Sequence, residues 1–119
     1  MQFHVTQISA DNVENEIYTI SLSGELAFDN HSKLSAAISE LLQKGIRKII
    51  IDFNDLFVID SGGIGLLIKF QKELKKEGGE LVLTRCNDRI MTLLLPINIH
   101  KLIKIFDSTD DAVNHFTAS

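Results

Sequence analysis

The chain has 119 residues, of which 12 are basic and 16 acidic, so its formal net charge is −4 at pH 7. No basic segment is concentrated enough to neutralise a phosphate backbone, which argues against a nucleic-acid-binding protein. Apolar residues make up 45% of the sequence, as in an ordinary globular domain. The single cysteine excludes an internal disulfide. Since no leader-like or membrane-length apolar segment is present, we expect a cytoplasmic protein without a membrane partner.

The first half of the chain predicts two strands, a helix and a buried strand. Alternating apolar and polar residues over positions 3–8 and 17–24 predict a strand pair, joined by a polar turn at Asp11 and Asn12. An apolar stripe over residues 34–42 predicts an amphipathic helix, with Gly45 just past its end. The isoleucine run at 49–51 is typical of a central parallel strand, and we expect a loop from there to Asp60.

The second half continues the alternation of helices and strands. A helix is predicted over residues 61–76, a strand over 81–83, a helix over 89–95, a short strand over 102–106 and a final helix over 110–116, capped by Ser108 or Thr109. This order predicts an α/β sandwich with a mixed, mainly parallel sheet of about five strands and about four helices. We expect residues 1–119 to form a single domain.

Two segments, residues 24–31 and 52–65, follow predicted strands at the edge of the sheet where functional loops gather. Asp60 is placed to cap the second helix, which leaves Ser61 among unpaired N–H groups at the positive end of the helix dipole. Gly62 and Gly63 each cost a helix about 1 kcal/mol relative to alanine, so a ligand or partner could need close access there. Helix starts accept phosphate well, and Ser61 is therefore a candidate phosphate acceptor. On spacing alone, a plain cap and turn is the simpler interpretation.

The string from Asp60 to Gly65, after the strand at 50–53, resembles the phosphorylation-site signature of STAS domains, and more narrowly of the bacterial anti-sigma-factor antagonists. Residues 23–26 and the element order also fit, so the resemblance covers nearly the whole chain. It implies that an anti-sigma-factor serine kinase phosphorylates Ser61 and that a PP2C-type phosphatase reverses this. By the same resemblance the unphosphorylated form binds the kinase, which releases a sigma factor. The expected partner surface consists of Asp60, Gly62, Gly63, Ile64, Phe28, Asp29 and Asn30.

Two positions depart from the family pattern. Gly62 stands where many members carry serine or threonine, which leaves one phosphate acceptor in the motif. Ala27 stands where the family usually has aspartate, so that Asp29 or Asn30 would have to take over any role of that carboxylate.

The remaining motifs favour a binding module over an enzyme. Asp52, Asp55 and Asp60 could be imagined as a magnesium cluster, but strand-end and loop acids of this kind are more often caps and solvated turns. The four histidines have no ligand spacing and are interpreted as exposed or incidental. We therefore expect no catalytic residue, no metal and no cofactor. The alternative is a STAS scaffold or transport-associated module that binds its partner constitutively and is not regulated by phosphorylation.

Overall fold

The structure is a computed structural model that describes residues 2–27 and 29–118. Its elements, in chain order, are β1 (His4–Asn12), β2 (Ile17–Leu26), α1 (His31–Gln43), β3 (Lys48–Ile59), α2 (Ser61–Lys76), β4 (Glu80–Thr84), α3 (Asp88–Leu94), a short 3-10 helix (Ile99–Lys101), β5 (Ile105–Phe106) and α4 (Thr109–Thr117). The strands form one sheet in the order β1-β2-β3-β4-β5. The β1–β2 pair is antiparallel and the other pairs are parallel. The predicted α/β sandwich with a mixed, mainly parallel sheet is confirmed.

Apolar side chains on the two faces of the sheet form two clusters. On one face, β2, β3 and β4 pack against α1, α2 and α3, through residues that include Leu22, Ile49, Ile51, Leu83, Ile38, Leu67 and Ile90. On the other face, Ile17, Ile50 and Val82 pack with Ala112 of α4. Successive residues of a strand point to opposite faces, so the isoleucine run of β3 supplies both clusters. This explains why the run is apolar without interruption.

The largest difference from the sequence prediction lies after the isoleucine run. We expected a loop up to Asp60, and this was wrong, because β3 continues to Ile59. Its second half pairs with β2 through register shifts that are typical of β-bulges. Phe53, Leu56 and Ile59 are buried at intervals of three, so the period of two that marks a strand is absent from this stretch. The long strand brings the start of α2 directly to the sheet edge.

Two smaller corrections concern a turn and a strand near the ends of the chain. Asp11 and Asn12 belong to β1, and the turn to β2 spans residues 13–16 instead. The predicted strand over 102–106 is reduced to Ile105–Phe106, because Ile103 donates its amide to the carbonyl of Ile99 at 2.8 Å and so belongs to a helical turn. The other elements agree with prediction within a few residues. Among the described residues, no helix is long and apolar enough to cross a membrane.

Candidate functional site

The start of α2 is fixed by Asp60, as predicted. Its backbone is extended, and its carboxylate Oδ1 accepts the N–H of Gly63 at 2.8 Å, which satisfies one free donor of the first turn. The N–H of Asp60 donates to the carbonyl of Leu26 at 3.0 Å. Because Leu26 is the last residue of β2, the helix start and the loop after β2 are held side by side.

Ser61 is the first residue of α2, and it is exposed. The helix has 16 residues, and its first turn contains no acidic side chain. A negative charge added at Ser61 would therefore lie at the positive end of the helix dipole, which favours it. Since the residue is exposed, a group added to its side chain would not have to displace core packing.

The other predicted site residues lie around Ser61, but they are not equally accessible. Gly62 and Asp29 are exposed, Asp60, Ile64 and Asn30 are half-buried, and Gly63 is buried. Phe28, the remaining predicted contact, lies outside the described residues. The structure thus brings the described members of the set together at one edge of the sheet. Their contact with a partner stays a prediction.

The three glycines of α2 meet different surroundings. A Cβ on Gly63 would lie 3.0 Å from core side chains of β2 and β3, so packing accounts for this glycine. A Cβ on Gly62 would lie 2.5 Å from Cε1 of His31. A Cβ on Gly65 would meet no described atom within 4 Å. The fold therefore accounts for the first two glycines and leaves the third, which is exposed, without a structural reason.

Asn30 fixes the shape of the loop that leads into α1. Its Oδ1 accepts the N–H of Ala27 at 2.9 Å, and its Nδ2 donates to the carbonyl of Glu25 at 2.8 Å. Ala27, the position at which the resemblance led us to expect aspartate, is buried. Asn30 rather than an acidic side chain therefore braces this loop, and Asp29 carries the exposed negative charge.

His31 lies in the segment 24–31 that was expected beside Ser61, and the sequence did not predict that it is paired with Asp60. Its Nε2 lies 2.7 Å from Oδ1 of Asp60, and its side chain is 28% exposed. The contact joins the first residue of α1 to the cap of α2. His115 is also paired, with its Nε2 at 2.9 Å from Oε1 of Glu80.

Asp52, one of the three aspartates considered as a magnesium cluster, is paired with a basic side chain. Asp52 is buried and accepts hydrogen bonds from the guanidinium of Arg85 and from the N–H of Asn54. The hydrogen bond to Asp52 is the main reason why the pKa of Arg85 is raised, against the opposing effect of burial. Burial, together with the charge of Asp52, raises the pKa of the neighbouring Cys86 to about 12. Within the described residues, no group of three or more acidic, histidine or cysteine side chains is arranged to hold a metal.

Comparison with known proteins finds one family model that matches most of the chain and several proteins of similar sequence. The STAS domain model matches residues 9–112. The chain is 26% identical over 102 residues to a Thermotoga maritima protein named as an anti-sigma factor antagonist, across 85% of this chain and 90% of the relative. It is 25% identical over 97 residues to the anti-sigma-B factor antagonist of Staphylococcus aureus, across 82% of this chain and 90% of that protein.

Solved structures share the fold. The crystal structure of the Thermotoga maritima protein superposes with a TM-score of 0.85 at 22% identity, across 95% of each chain. The anti-sigma factor antagonist SpoIIAA in its unphosphorylated form gives 0.74 at 22% identity, across 92% of this chain and 95% of that one. The phosphorylated form of SpoIIAA from Bacillus gives 0.67 at 23% identity, across 92% and 98%.

Proposed function

The chain belongs to the STAS domain family, and we propose that it is an anti-sigma-factor antagonist, a non-enzymatic binding module of the cytoplasm that phosphorylation switches. In this proposal the unphosphorylated protein binds an anti-sigma-factor serine kinase and thereby releases a sigma factor. The kinase phosphorylates Ser61, which ends the complex, and a PP2C-type phosphatase restores the binding form. The observation that carries the proposal is the exposed Ser61 at the positive end of α2, beside the loop braced by Asn30.

Phosphorylation at this position would change the surface while preserving the fold. A phosphoryl group adds about 1.5 to 2 negative charges at neutral pH. Free N–H groups and the dipole of α2 favour an anion there, so the folded state tolerates it. A partner surface complementary to the neutral hydroxyl would face added bulk and an unpaired charge, which can weaken a complex by several kcal/mol.

Two features of the relatives support the same proposal. Proteins that match most of the chain in sequence are named as anti-sigma factor antagonists. SpoIIAA, which shares the fold, is known in both an unphosphorylated and a phosphorylated form. A fold of this kind therefore accommodates a phosphoryl group, and the present chain offers an exposed serine in the first turn of α2.

The chain itself makes the acceptor easy to identify. Cleavage after Lys48 and Lys69 yields the peptide 49–69, in which Ser61 is the only serine, threonine or tyrosine. Incubation with an anti-sigma-factor serine kinase and ATP should therefore place a phosphate on this peptide, as detected by mass spectrometry. Ser61→Ala should abolish the signal. Ser32→Ala, which removes another exposed serine from the start of a helix, should leave it unchanged.

Two other outcomes would count against this function. Phosphate on a different peptide, or none on any, would remove Ser61 as the acceptor. A partner that binds the unmodified protein and the Ser61→Glu variant with equal affinity would instead indicate the constitutive scaffold or transport-associated module.

A further inference from the structure

His31 contacts Asp60, and its ring occupies the space that a side chain at position 62 would need. Its Nε2 lies 2.7 Å from the carboxylate of Asp60. A Cβ built on Gly62 would lie 2.5 Å from its Cε1 and 3.1 Å from each ring nitrogen. The ring edge that carries both nitrogens therefore faces the first turn of α2. Because the imidazole fills the space of a side chain at position 62, a second hydroxyl there would require the ring to move.

A phosphate on Ser61 would be attached between the two positions, 60 and 62, that this ring approaches. Consecutive Cα atoms are about 3.8 Å apart across a trans peptide, so the Cα of Ser61 lies close to that of Gly62. The ester oxygen and phosphorus extend the side chain by a few ångströms from there. We propose that the imidazolium form of His31 forms an ion pair with phosphoserine at position 61. The protonation of His31 would then depend on whether Ser61 is phosphorylated. The inference rests on the proposed phosphorylation for its biological meaning, although its chemistry can be tested separately.

The charges around His31 determine in which direction phosphorylation of Ser61 changes the protonation of its ring. Asp60 faces the ring from the junction of β3 and α2, Asp29 and Lys33 lie two residues away in the chain, and Glu25 stands at the end of β2. A phosphate adds negative charge near the ring and so favours the charged imidazolium. His31 should accordingly hold its proton to higher pH in the phosphorylated protein. At mildly acidic pH the imidazolium would then hold the phosphate between the α1 and α2 helix starts.

The test installs phosphoserine at position 61 during translation, so that no kinase is needed. The ring C–H signals of the histidines are followed by NMR against pH in the modified and unmodified proteins. The midpoint of His31 should rise by about one pH unit or more on modification. The exposed His100, on the 3-10 helix, is the internal reference and should stay nearly constant. Equal movement of the two histidines would overturn the proposal.

A His31→Gln variant separates the effect of the histidine's charge from any effect of the substitution on folding. His31→Gln keeps a neutral hydrogen-bond donor near Asp60 but cannot become a cation. In phosphorus NMR, the second ionisation of the phosphoserine should occur at lower pH in the wild type than in His31→Gln. Coincident phosphorus titrations would contradict the pairing, even if the variant folds normally. Should the kinase assay fail while these titrations behave as expected, the proposed function alone is refuted.

Discussion

Replacement of Gly65 by alanine is expected to stabilise the protein and to weaken its complex with the kinase. Gly65 lies one turn after Ser61 in α2, so both residues are on the same side of the helix. The added methyl group would meet no described atom within 4 Å. The substitution therefore removes only the entropic disadvantage of glycine in a helix, which is about 0.8 to 1 kcal/mol. In a domain of this size, that corresponds to an increase of roughly 3 to 5 °C in melting temperature.

Gly63→Ala is the matched control, because it makes the same change two residues earlier. Its methyl group would lie 3.0 Å from Cγ1 of Ile59 and from two carbons of Leu26. Both side chains are in the core and have little room to move. Overpacking of this kind costs about 1 to 3 kcal/mol, which cancels or exceeds the gain in helix propensity. In urea denaturation, Gly65→Ala should thus be more stable than Gly63→Ala by at least about 1 kcal/mol.

The functional half of the prediction uses calorimetric titration of the kinase. If the kinase lies close over the Ser61 side of α2, the Gly65→Ala methyl group should weaken binding by about tenfold, which is 1.4 kcal/mol. Unchanged affinity in the stabilised variant would show that the kinase does not approach this turn. A loss of stability in Gly65→Ala, or equal stability of the two alanine variants, would refute the structural reasoning.

Three further predictions concern the cap, the loop and the thiol. Asp60→Ala should lower the free energy of unfolding by about 1 to 2 kcal/mol in urea denaturation, whereas Asp60→Asn keeps an acceptor for Gly63 and should lose less; equal losses would contradict the cap. Asn30→Ala should accelerate hydrogen exchange of the Ala27 amide by about fivefold, and an unchanged rate would show that the loop is held otherwise. With its pKa raised to about 12, Cys86 should react slowly with thiol reagents at pH 8 and rapidly once urea unfolds the chain. Fast labelling of the folded protein would disprove this burial.

Local signals determine which elements could be predicted from the sequence. Helix α2 has the predicted bounds, because Asp60 marks its start and glycines follow its end. Gly78 takes a φ of +79°, the left-handed conformation expected after a helix. The second half of β3 was missed, because bulges interrupt the alternation that identifies a strand. Its pairing with β2 is a long-range property that no window of sequence contains.

The same distinction applies to the site. The cap by Asp60 and the placement of Ser61 in the first turn follow from adjacent residues, and both were predicted. The contact of His31 with Asp60 joins residues 29 positions apart. It depends on the parallel register that sets Leu26 beside Ile59 and so brings the two following segments together. Sequence spacing does not reveal this register, which is why the contact of His31 with Asp60 was not predicted.

The most direct test compares the affinity of the anti-sigma-factor serine kinase for the unmodified protein and for the protein with phosphoserine installed at position 61. The proposed switch predicts binding at least tenfold weaker for the phosphorylated protein, with melting temperatures that agree within a few degrees. Equal affinities would contradict the account, and so would a phosphorylated protein that fails to fold.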